Sequence, residues 1–72
     1  MGFMIKVFNT KTGNFASGKK VSLHDSVGHR SATTDSQGVA DFSSATSGTY
    51  TVYVDGHEVY KGPIVGVQIV NI

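Results

Sequence analysis

The chain has no cysteine and a single proline, and only 15% of its 72 residues are charged, against the ~25% usual for soluble domains. Without cysteine there is no disulfide and no thiolate zinc site. Its absence leaves the redox compartment open, since such a chain is safe in either. Six Lys/Arg against five Asp/Glu give a formal net charge of +1. The only basic doublet is Lys19-Lys20, so the electrostatic footprint of a nucleic-acid binder is missing. No apolar run approaches the ~20 residues of a membrane helix, and no membrane insertion is expected. Met1-Gly2-Phe3-Met4-Ile5-Lys6 lacks the basic and apolar regions of a signal peptide. If the chain is a whole gene product, synthesis in the cytoplasm is expected, with assembly into a surface or particle structure one route from there; if it is a piece of a longer protein, its start says nothing, and the compartment stays open.

Helical spacing is also nearly absent. Short runs rich in Val, Thr, Tyr and Phe are broken by Gly, Asp, Asn and Ser at roughly the 8–12-residue intervals of a sandwich or barrel. Seven strands are expected: Phe3 to Phe8, Lys19 to Asp25, Arg30 to Thr34, Val39 to Ser43, Thr49 to Val54, His57 to Lys61, and Ile64 to Ile72. Period-two alternation turns Val21, Leu23, Ala40, Phe42, Tyr50, Val52 and Val54 inward. The short polar third strand suits an edge. Asp55-Gly56 is the clearest hairpin signal, because a type I′ turn needs positive φ at both central residues. Gly62-Pro63 is expected to break the sixth strand. A domain of this length buries only about 60% of its unfolded surface, so a few large side chains must carry the core. Phe3, Phe15, Phe42, Tyr50, Tyr53 and Tyr60 are the candidates.

The last strand is apolar on both faces, with Val65, Val67 and Ile69 on one side and Ile64, Val70 and Ile72 on the other. A strand covered on both sides reads this way. So does one whose outer face meets another molecule. A well-covered central strand, or a simple C-terminal overhang, is the simpler expectation.

Four segments occur in an order that resembles the Cna-B and carboxypeptidase-regulatory-like domains, prealbumin-like sandwiches. They are Lys11-Thr12-Gly13, Ala16-Ser17-Gly18-Lys19-Lys20-Val21-Ser22-Leu23, Thr34-Asp35-Ser36-Gln37-Gly38-Val39-Ala40-Asp41-Phe42, and Ser47-Gly48-Thr49-Tyr50. Lys19 stands where the family usually has alanine, and Ser47 where it usually has proline. The resemblance implies an all-β, seven-stranded antiparallel β-sandwich of Greek-key, prealbumin-like topology, forming one domain over residues 1–72. It implies a non-enzymatic stalk, spacer, adhesion or accessory role. Many such domains carry an internal isopeptide bond, in which a first-strand lysine attacks an Asn or Asp of the last strand beside a buried acid. Lys6 and Asn71 stand at those places, but the position of the acid is Val54. Asp55 belongs to the turn, and Asp41 and Glu58 are weaker substitutes.

Three histidines raise a second class of function, a small metal- or ligand-dependent hydrolase. His24 and His29 flank the Ser26-Val27-Gly28 turn, with Asp25 beside them, and His57 follows Asp55-Gly56. A metal needs three or four ligands on one point, whereas histidines in turns are commonly solvated. Tyr53 and Tyr60 flank the Asp55-Gly56 hairpin and could form a contact patch for a protein or sugar. Cross-strand packing accounts for them equally. No catalytic residue is assigned and no cofactor is expected. The reading is a non-enzymatic structural or protein-binding module of a larger surface, secretion or phage-type assembly. Its partner would be another protein or a second copy of the chain, met through an exposed strand edge.

Overall fold

A computed structural model describes residues 2–26, 28–46 and 48–72. It is all-β, with eight strands: β1 (Phe3–Asn9), β2 (Asn14–Phe15), β3 (Lys20–His24), β4 (His29–Thr33), β5 (Val39–Phe42), β6 (Gly48–Val54), β7 (His57–Ile64) and β8 (Val67–Asn71). The strands form two sheets. In the first, β1 is central. The Val7 N–H donates to Gly38 and the Ala16 N–H to the Val7 carbonyl, so β5 and β2 follow one another along one edge of β1. The Met4 N–H donates to Gly66, and the Ile72 N–H to Phe8, which puts β8 on the other edge. The second sheet has the order β4-β3-β6-β7, all antiparallel.

The core lies between the sheets. Phe3, Ile5, Val7, Ala40, Phe42 and Val70 of the first sheet meet Val21, Leu23, Tyr50, Val52, Val54 and Ile64 of the second. These are the alternating positions expected of strands with one covered face. The Phe3 ring, 5.4 Å from Tyr50 and 5.9 Å from Phe42, ties the layers together at one end. The Tyr50 hydroxyl donates to the Thr46 carbonyl at 2.7 Å, closing the corner before β6. Val27 and Ser47, assigned to turns by their sequence context, lie outside the described residues.

The observed strands depart from the expected seven in three ways. A two-residue strand, β2, is added after a turn in which Asn9 Oδ1 accepts the Lys11 and Thr12 N–H groups. The β1–β8 pair is parallel, so the sandwich is not wholly antiparallel. And Gly62-Pro63 does not end the sixth expected strand, because β7 runs through both to Ile64. β7 is an edge, and an edge strand has one row of N–H groups that a proline can occupy without loss. The Asp55-Gly56 hairpin is as expected, with φ of 51° and 86°.

Thr34-Asp35-Ser36-Gln37-Gly38 carries the chain from one sheet to the other. The buried Thr34 hydroxyl donates to Ala16 at 2.8 Å and accepts the Lys19 N–H at 2.9 Å, clamping the segment between β2 and β3. Asp35 Oδ1 accepts the N–H groups of Gln37 and Val39, at 2.8 and 3.0 Å. The Val39 bond first, then the Gln37 bond, holds the Asp35 carboxyl below its ordinary pKa, because both favour the charged form.

Candidate functional site

Alternation on β1 sends Phe3, Ile5 and Val7 to the core and Met4, Lys6 and Phe8 to the outer face. Met4 and Lys6 lie opposite Val67 and Ile69 of β8, and Phe8 lies opposite both Asn71 of β8 and Phe15 of β2. This face gathers the exposed large apolar side chains: Met4 at 44%, Phe15 at 39%, Val67 at 56% and Ile69 at 50%, with Val65 at 76% just before β8. Single exposed apolar residues are ordinary, whereas their collection on one sheet makes this face the candidate site. Lys6 sits among them with its ammonium 4.3 Å from the centre of the Phe15 ring. That ring meets Phe8 edge-on at 5.2 Å. A shallow groove of about 290 Å³ continues the face past Met4 and Val67 to Asp41 and Ser43.

The backbone of β8 adds a second element. Even-numbered residues from Gly66 to Ile72 direct their N–H and C=O groups at β1. The same alternation sends those of Val67, Ile69 and Asn71 to the opposite edge, where no strand pairs with them among the described residues. The expectation of a covered last strand is therefore corrected. Val70 is buried, while Val67 and Ile69 face outward beside an open edge.

The other sequence candidates are dispersed. Lys6 lies on the outer face, and its ammonium reaches over Phe15, on the side of β1 away from β8. Asn71 pairs with Phe8, two residues along, and Val54 is buried among apolar neighbours. Lys6 and Asn71 are thus not brought together in the core, as an isopeptide bond requires. Tyr53 and Tyr60 point to opposite faces. Tyr53 meets His24 with the rings tilted at 60° and their centres 4.7 Å apart, whereas Tyr60 lies opposite Val52, packs against the core and donates to the Pro63 carbonyl. Two aromatic residues named as core, Phe15 and Tyr53, stand on outer faces instead.

His24 and His29 are adjacent, ring centres 5.3 Å apart and nearly parallel. Asp25 beside them accepts the Gly28 N–H at 2.9 Å. His57 pairs with Val54, three residues along β6 from the Thr51 that faces His24, which is about 10 Å of strand. Among the described residues no three His, Asp or Glu side chains converge on a point.

The β1–β2 part of the outer apolar face, Met4 and Phe15, was missed by residue-type reasoning, but a signal for Met4 was present. Once Phe3, Ile5 and Val7 are assigned inward, Met4, Lys6 and Phe8 must point out. No known family, curated protein or solved structure matches the chain.

Proposed function

We propose that this chain is a non-enzymatic, protein-binding β-sandwich module that contacts its partner through the outer face and open edge of the β1–β8 sheet. It would serve as an accessory, spacer or adhesion-type unit of a larger surface, secretion or phage-type assembly. The observation that carries this reading is the gathering of Met4, Phe15, Val67 and Ile69 on one exposed face. We further assign its seven longer strands to the Greek-key, prealbumin-like topology of Cna-B-like domains. The residues behind that resemblance have definite work here. Thr34 clamps two loops, Asp35 caps a turn, and Phe42 fills the core.

The test is affinity capture from the source cells with three baits. The wild type and Tyr53→Ala, altered on the opposite sheet, should enrich the same protein. A Met4→Lys/Val67→Lys variant should lose it while melting cooperatively. Equal enrichment by all three refutes the assignment of the surface.

A further inference from the structure

We propose that the open edge of β8 pairs antiparallel with the β8 edge of a second copy, with Ile69 on the two-fold axis. This rests on the reading of the β1–β8 sheet as a contact surface and names its partner. Four features carry it.

First, the backbone is self-complementary. The outward N–H and C=O groups belong to Val67, Ile69 and Asn71, which are symmetric about Ile69. Antiparallel pairing sets Ile69 opposite Ile69 of the second copy and Val67 opposite Asn71, each exchanging both backbone bonds. The Ile69 carbonyl already accepts Gln68 Nε2 at 3.0 Å, and pairing replaces that bond with a backbone N–H.

Second, the remaining sheet edges carry features that deter such pairing. β7 has Pro63, Lys61, Glu58 and a bulge near Val59. β4 carries exposed His29 and Arg30, β5 is four residues long with an exposed Asp41, and β2 is only two residues long. β8 has no charge, no proline and no bulge. Unprotected edges of this kind are the ones that recruit another strand.

Third, the exposed side chains fit. Pairing sets Ile69 beside its own copy and extends the apolar row of Met4, Val67 and Ile69 across both sheets. Aliphatic cross-strand neighbours stabilise such a pair. Fourth, a net charge of +1 offers little repulsion between copies. A five-residue edge falls below the ~1,200 Å² of a stable interface, so the pair forms reversibly and only at high concentration.

Sedimentation equilibrium tests the proposal. The weight-average mass of the wild type should rise above the monomer's 7.6 kDa between low micromolar and millimolar concentration. Ile69→Pro removes the central outward N–H and should weaken association by about tenfold or more. Ile69→Lys and Ile69→Glu should each remain monomeric, since like charges then meet on the axis. An equimolar mixture of the two should associate. Both alter an exposed side chain, and cooperative melting of each confirms the fold where the proline variant fails. A wild type monomeric at millimolar concentration overturns the pairing. So does a dimer that survives Ile69→Lys, or a charge-swapped mixture that stays monomeric. Partner capture that persists in a monomeric wild type would overturn self-pairing alone and leave the module reading intact.

Discussion

Replacing Gly38 by alanine tests how tightly β2 is held against the rest of its sheet. Gly38 has φ +77°, and its carbonyl accepts the Val7 N–H at the join where β5 gives way to β2 along β1. A Cβ there would lie 2.7 Å from the Phe15 Cβ, 3.1 Å from the Ala16 nitrogen and 3.2 Å from the Val7 carbonyl oxygen. Carbon atoms prefer about 3.5–4.0 Å. None of these three neighbours sits at the free end of a long side chain, so β2 itself must move. The left-handed φ alone costs alanine roughly 1–2 kcal/mol. Overpacking adds about 1–3 kcal/mol. Gly13 supplies the control, because its φ is +75° and a Cβ there meets nothing within 4 Å. Gly13→Ala should show the strain alone. The difference between the two variants is then about 1–3 kcal/mol, from overpacking. A total stability of about 4–11 kcal/mol, scaled by length, makes that difference large. Urea unfolding at equal m-values measures it, and each kcal/mol moves Tm by roughly 4–8 °C in a domain of this size. Equal losses in the two variants would refute the close packing of Gly38 under Phe15.

Three other outcomes follow from the same geometry. Thr34→Val should lose about 1–3 kcal/mol of unfolding free energy, because the Ala16 carbonyl and the Lys19 N–H lose their shared hydroxyl; Thr34→Ser should restore most of it. The Asp35 carboxyl is held below its ordinary value of 3.8, so its contribution is present above that pH and lost as pH falls through the lower folded value. Melting curves through the acid range should therefore show the wild type declining more steeply than Asp35→Asn, and parallel declines would contradict the turn. The intact mass should equal the sequence mass, because Lys6 reaches away from Asn71; a loss of about 17 Da, one ammonia, would overturn that placement.

Period-two patterning was enough to assign faces on most strands. Val21 and Leu23, Ala40 and Phe42, and Tyr50, Val52 and Val54 are all buried as their spacing requires. The Asp55-Gly56 turn was legible because two adjacent positive φ values have a narrow residue signature. Alternation says nothing of which strand lies alongside. The parallel pairing of β8 with β1 joins opposite ends of the chain, and no local residue choice announces it. β2 escaped notice because two residues carry no period. Phe15 and Tyr53 misled for another reason: aromatic rings suit the core, yet each here is occupied on an outer face, by Lys6 and Phe8 or by His24.

That limit explains why the candidate surface was half legible. The two-faced apolar character of the last strand was visible, and it admitted two meanings, a covered strand or a contact strand. What separates them is topology. Had β8 been inserted between two neighbours, with a layer on each face, Val67 and Ile69 would be ordinary core residues. Because β8 lies at the edge of its sheet, the same two side chains are left in water beside three residues whose outward backbone groups meet no neighbouring strand among the described residues. Apolar exposure and an open edge are each tolerated separately in stable monomers. Their coincidence is not balanced on β8 by the lysine, proline or bulge that guards β7. A single charge at Ile69 would supply that guard at little expense to the core, since the side chain is half in solvent. Isoleucine at that position leaves the edge without such a guard.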